Sequence, residues 1–202
     1  MDKEDILIVC ALEQETNWKE LEGWRVIYTG CGKINAAHEL TTELFFSALA
    51  LPLPKLIINF GTAGSRSLPL QTLVDCTKFI ERDMDATALG FERGETPYDN
   101  HDPHGSSIII DYSAIQNPIS KNCVCGTGDS FVEHVDNEMK EIDVFDMEAY
   151  ALAKVCDKIG IDFVSYKYIT DNADERSANL WLEDCGKGIK EFEKVLKYYE
   201  NI

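Results

Sequence analysis

The chain has 202 residues, 45% apolar and 27% charged, and a formal charge of −17 at pH 7. That length supports one domain over residues 1–202 with a full core, and the composition excludes a disordered chain. A negative field of this size repels nucleic acid and anionic membrane surfaces, but it leaves a small neutral or cationic molecule as a partner.

The amino terminus is charged and leads into no signal-like apolar segment. Ile6 to Leu12 is a continuous run rich in β-branched residues and predicts a strand buried on both faces. Arg25 to Thr29 reads as a second strand, ended by Gly30-Cys31-Gly32. Ile34 to Leu51 has helical spacing, and the apolar stretch Leu44 to Leu53 is too short for a membrane span and is broken by Pro52. Lys55 to Phe60 predicts a buried strand closed by a turn at Gly61-Thr62-Ala63-Gly64. Val74 to Glu81, Ile108 to Tyr112 and Asn122 to Cys125 read as further strands. The polar stretch Arg93 to Gly105 reads as a long surface loop. Asp146 to Ile159 predicts a helix with Ala149, Leu152, Ala153 and Cys156 on one face. Phe163 to Ile169 predicts a last strand, and Leu182 to Tyr199 an amphipathic helix. Buried strands alternating with helices predict an α/β fold, a mixed and largely parallel β-sheet flanked by helices.

Seven scattered cysteines (Cys10, Cys31, Cys76, Cys123, Cys125, Cys156 and Cys185) make no disulfide framework. They read as free thiols in a reducing compartment, the cytoplasm. His38, His101, His104 and His134 have no metal-ligand spacing. No metal and no cofactor is expected.

In open α/β sheets ligands gather beyond the carboxyl ends of the strands. Glu13 and Glu15, the Gly61 to Gly64 turn, Asp146-Met147-Glu148 and Thr170-Asp171-Asn172 all fall there. Each has a plain reading as well: Asp146 and Glu148 as acids at a helix start, Thr170 or Asp171 as an N-cap, and the glycine turn as a simple connection. Convergence favours chemistry, because acids gathered at one sheet edge repel one another and stability alone gives no reason to collect them.

These residues resemble the methylthioadenosine/S-adenosylhomocysteine nucleosidases of the purine nucleoside phosphorylase superfamily. The resemblance runs from Ile6 to about Leu196. It is carried by Ala11-Leu12-Glu13-Gln14-Glu15, Gly30-Cys31-Gly32-Lys33, Ile57 to Gly64, Asp85 to Phe91, Gly126 to Phe131, Asp146-Met147-Glu148-Ala149 and Ile169-Thr170-Asp171, in that order. It implies hydrolysis of the N-glycosidic bond of 5′-modified adenine nucleosides, without a cofactor, in purine and methionine salvage. It also implies the roles: Glu15 activates the attacking water, Asp171 protonates N7 of the leaving purine, and Glu148 grips the ribose hydroxyls. Met147 packs under the sugar, Phe131 stacks on the base, and the backbone of Val132 reads its edge. Thr62 is the small hydroxyl residue near the water, with Ala63 and Gly64 beside it. A homodimer follows from the resemblance too, with Leu12, Cys31 and Leu89 near the seam and the Asp85 to Pro97 loop reaching towards the partner's pocket.

The chain departs from that pattern at Lys167, where the family has an arginine near the water. It departs again at Asp146, where a Glu is usual, and at Arg82, which replaces a His. It also lacks most of the hairpin before Gly30 and of the helix before Gly126. Arg66 is a surface residue or, in a phosphorylase, a phosphate ligand. Three alternatives stay open: a phosphorylase, a nucleosidase for futalosine, and a non-catalytic nucleoside-binding or storage protein.

Overall fold

The computed structural model describes residues 2–19, 21–50, 52–98, 108–135 and 140–201. The strands are β1 (Ile6–Cys10), β2 (Arg25–Tyr28), β3 (Leu56–Gly64), β4 (Leu73–Glu81), β5 (Ile109–Asp111), β6 (Cys123–Thr127), β7 (Val144–Asp146) and β8 (Asp162–Asp171). The helices are α1 (Lys33–Ala48), α2 (Ala149–Ile159), α3 (Ser177–Asp184) and α4 (Ile189–Tyr199). All the strands join one eight-stranded sheet. β1 pairs in parallel with β2 and β3, β3 with β8, and β6 with β4 and β7. β4 runs antiparallel to β5 and β8, and β3 meets β7 antiparallel at Gly64 and Phe145. The pairs β3–β8–β4–β6–β7–β3 therefore close a ring. The mixed, largely parallel sheet agrees with the expectation from the sequence.

The period-2 alternation of a strand divides the apolar runs between two cores. Leu7, Val9 and Ile57 face one side, where Leu40 and Leu44 of α1 and Leu152 and Cys156 of α2 cover them. Ile6, Ile8, Cys10, Ile58 and Phe60 face the other, covered by Ile189, Phe192 and Leu196 of α4. Phe192 lies parallel to Phe60, ring centroids 4.3 Å apart and planes 9° apart. Burying each such large side chain is worth about 1.5–3 kcal/mol. All seven cysteines are free, and only Cys31 is exposed. Among the described residues no helix is long and apolar enough to cross a membrane.

Four expectations need correction. The turn placed at Gly61 to Gly64 is strand: β3 runs on to Gly64 because Gly61, Thr62 and Ala63 keep their partners Lys167, Tyr168 and Ile169 on β8. The chain turns only afterwards, where the Ser65 hydroxyl accepts the N–H groups of Ser67 and Leu68. Asp146 does not open the helix. It ends β7, a strand the short run Val144–Asp146 hardly advertises, and α2 begins at Ala149. Thr170 and Asp171 are the last residues of β8, not a helix N-cap. The carboxy-terminal helix is two helices. The break around Gly186 and Gly188 lets the backbone pass close to Tyr168, where a Cβ on Gly188 would lie 2.5 Å from the ring. Of the Arg93 to Gly105 loop, residues 99 to 105, with His101 and His104, lie outside the described residues.

Candidate active site

β1, β3 and β8 run parallel, so their carboxyl ends share one edge of the sheet. The acids that follow or end these strands meet there. Glu15 lies in the turn after β1 and is buried. Its Oε2 accepts the Leu12 N–H at 3.2 Å, and its Oε1 accepts the Thr62 N–H at 2.7 Å and the Thr62 hydroxyl at 2.8 Å. Gly61 makes this approach possible, since a Cβ there would stand 3.0 Å from Oε1 of Glu15 and 3.3 Å from Nζ of Lys167. Asp171 ends β8. Its Oδ2 accepts the Thr170 hydroxyl at 2.9 Å and its Oδ1 the Ala173 N–H at 3.0 Å. A Cβ on Gly64 would fall 2.5 Å from that Oδ1, so the position next to Asp171 has to be glycine.

Glu148 lies between β7 and α2, and its Oε1 accepts the Gly32 N–H at 2.9 Å. Gly32 starts α1 with φ +93°, a conformation that favours glycine. Burial pushes the Glu148 carboxyl up to about 8. The charges of Asp146 and Glu15 add to the rise, and Lys167 opposes it. The shift favours the protonated form of Glu148, and a neutral carboxyl both donates and accepts hydrogen bonds.

Glu15, Glu148 and Asp171 line a single cavity of about 380 Å³. The volume lies in the range of roughly 300–1,000 Å³ usual for small-molecule sites. Thr62, Ala63, Gly64, Phe131, Val132 and Met147 line the same cavity, as do Leu12 and Cys31, which were expected near a seam with a partner chain. Leu89, expected at a seam with a partner chain, is 68% exposed. Of the residues expected to bind substrate, Lys167 alone does not line the cavity. Lys167 lies below it, 1% exposed, with its ammonium 2.8 Å from the Asp146 carboxylate. Burial works to lower the Lys167 pKa, but the charge of Asp146, followed by Cys125, Glu148 and Glu15, outweighs it and raises it. Asp146 borders the cavity, yet its carboxylate turns to Lys167, to the Thr127 hydroxyl at 2.5 Å and to the Ala149 N–H at 2.8 Å. Burial would raise Asp146, and Lys167 reverses this, so it stays ionised below the usual range. The pair thus anchors β8 to the start of α2.

The sequence left two groups unremarked or unexplained. Ala178, Trp181 and Leu182 of α3 close one side of the cavity. Their i, i+3, i+4 spacing is a helical stripe, hidden because the helix was started at Leu182. The Trp181 indole N–H donates to the Thr62 hydroxyl at 2.9 Å. Arg82 is buried and holds the segment that carries Phe131: it donates to the carbonyls of Gly128 and Ser130 and to the Ser130 hydroxyl. Arg66 is exposed and borders a separate hollow with His134 and Arg176. A larger groove of about 830 Å³ lies between α1 and α2, away from Glu15 and Asp171.

A cavity lined largely by apolar residues, with carboxylic acids gathered at the strand ends of a mixed α/β sheet, defines a class of small-molecule site. Residues 20–199 match the family model described as the phosphorylase superfamily. A 5′-methylthioadenosine/S-adenosylhomocysteine nucleosidase from an Exiguobacterium species is 30% identical over 172 residues, which cover 79% of this chain and 71% of that protein. The chain belongs to the phosphorylase superfamily and, within it, to the 5′-methylthioadenosine/S-adenosylhomocysteine nucleosidase family. The fold is similar to that of the Streptococcus pyogenes S-adenosylhomocysteine nucleosidase in complex with 5-methylthiotubericidin (TM-score 0.77, 20% identity, 98% of this chain and 96% of that one). It is also similar to the futalosine hydrolase of Helicobacter pylori (TM-score 0.74, 22% identity, 95% of each chain). At such identities the likeness is one of fold, and a fold does not choose a substrate.

Proposed function

We propose that the chain hydrolyses the N-glycosidic bond of 5′-modified adenine nucleosides, 5′-methylthioadenosine and S-adenosylhomocysteine, and releases adenine. The observation that carries this reading is the convergence of Glu15, Glu148 and Asp171 on one cavity; family membership supports the substrate class. Cleavage builds an oxocarbenium-like ribose and a negatively charged base, so the site needs an anion near the sugar and an acid near N7. Glu15, oriented by Leu12 and Thr62, takes a proton from the attacking water. Asp171 gives one to N7. Glu148 binds the ribose hydroxyls, and the growing positive charge on the sugar favours its ionised form. Met147 packs under the ribose, Phe131 stacks on adenine, and the backbone of Val132 reads the edge of the base. Asp146 and Lys167 hold this arrangement from beneath.

Water is the nucleophile in this reading. Among the described residues that line the cavity none is Arg or Lys, so no side-chain cation is placed there to hold a phosphate. The chain works as a single domain and a cytoplasmic homodimer in purine and methionine salvage. The exposed apolar residues Ile34, Phe45, Phe46 and Leu49 of α1 and its end, with Leu89, support the dimer. The test is base release from 5′-methylthioadenosine, S-adenosylhomocysteine, adenosine, inosine and futalosine, with and without phosphate. Adenine should leave the 5′-thio nucleosides at a rate indifferent to phosphate. A ribose 1-phosphate product, or release from futalosine alone, would overturn the proposal.

A further inference from the structure

Thr62 is bonded on two sides. Its hydroxyl accepts the Trp181 indole N–H at 2.9 Å and donates to Oε1 of Glu15 at 2.8 Å. A threonine hydroxyl has one proton and two lone pairs, whereas an indole nitrogen only donates. With one lone pair facing the indole, the hydroxyl proton is left for the carboxylate. Without that donor the hydroxyl is free to rotate and to spend its proton elsewhere. The chain Trp181–Thr62–Glu15 crosses three elements, α3, β3 and the turn after β1, and so fixes the carboxylate against the sheet.

We propose that Trp181 is a positioning residue for the hydrolytic step: its indole N–H sets the Thr62 hydroxyl and, through it, the orientation of Glu15. This rests on Glu15 being the group that takes the proton from water. The effect is bounded, because Glu15 keeps the Thr62 N–H at 2.7 Å and the Leu12 N–H at 3.2 Å whatever happens to the indole. One hydrogen bond of this kind corresponds to about 2- to 10-fold in rate. Chemistry is sensitive to such small misplacements of a reacting group.

The experiment is a double-mutant cycle read as kcat and KM for adenine release from 5′-methylthioadenosine. Trp181→Phe keeps an aromatic wall and deletes the donor; Thr62→Val keeps the shape and deletes the hydroxyl. Trp181→Phe should lower kcat about 2- to 10-fold, with KM nearly unchanged. In the Thr62→Val background the same change should do nothing further, because the relay is already cut. Thr62→Ser, which restores a hydroxyl, should recover the dependence on Trp181. In ¹H–¹⁵N spectra of the full chain, Thr62→Val should move the Trp181 indole resonance, which assesses the bond even where activity is low. Equal losses for Trp181→Phe in both backgrounds, a loss confined to KM, or an unmoved indole resonance would overturn the relay and leave Trp181 as a wall. Glu15→Gln separates this from the functional reading. An unchanged rate there removes Glu15 as the base, whereas a collapsed rate with an additive cycle removes the relay alone.

Discussion

Glu148 is held in a carboxyl environment set by burial first and by the Asp146 charge second, which carries it from 4.5 to about 8. A carboxyl raised on folding contributes stability that is complete below its unfolded value and is lost as pH climbs through its folded one. The window is therefore about pH 4.5 to 8. Glu148→Gln keeps the shape and removes the titration, so its stability relative to the parent should rise across that window and level off above it. Denaturant midpoints of both proteins at successive pH values check this, and parallel curves would mean that Glu148 stays ionised. At this scale the sequence was legible for acids and opaque for their partners. Glu15, Glu148 and Asp171 stand beside recognisable strand ends. By contrast, nothing in the residue pattern pairs Lys167 with Asp146, against which it is buried. Lys167 on β8 and Asp146 on β7 meet although the two strands are not paired, and which cation meets which anion in that way depends on the sheet topology, which residue types alone do not carry.

The elements were legible where hydrophobic period was strong. β1, α1, β4 and α2 lie close to where their patterns put them, and α2 ends at Gly160 in the left-handed conformation expected of a helix stop. The failures share a cause. β3 and β8 continue through Gly61–Gly64 and Thr170–Asp171, residues with turn and cap chemistry, because each strand supplies the other's ladder. Tertiary pairing overrode local propensity at the edge where the acids gather. The split between α3 and α4 was missed because a long apolar pattern hides two short helices, and Trp181 was missed with it. α4 supplies one whole cover of the sheet, and Phe192 at its centre is fully buried against Phe60 and Tyr166. Phe192→Ala should cost about 3–5 kcal/mol, read as a lower denaturant midpoint with unchanged slope. A loss below 1 kcal/mol would mean that α4 is dispensable to the core.

For the whole molecule, composition gave a correct class and the sheet topology gave the site, but assembly lies beyond both. A charge of −17 on each chain opposes association. A dimer therefore needs an apolar seam, and the exposed Ile34, Phe45 and Phe46 of α1 offer one. Sedimentation should find a dimer at micromolar concentration that tightens as salt screens the like charges. Phe45→Glu should shift it to monomer, and an unchanged dimer would move the seam elsewhere. The central claim is that Asp171 protonates the leaving base while Glu15 activates water, and leaving-group dependence tests it most directly. The measurement is kcat/KM of Asp171→Asn against the parent, for 5′-methylthioadenosine and for p-nitrophenyl riboside, whose leaving group needs no proton. The account predicts a fall of ~10²-fold or more with adenine, the scale of a lost general acid, and a far smaller one with the nitrophenyl compound. Glu15→Gln, by contrast, should slow both. Equal losses for the two substrates in Asp171→Asn would contradict the account.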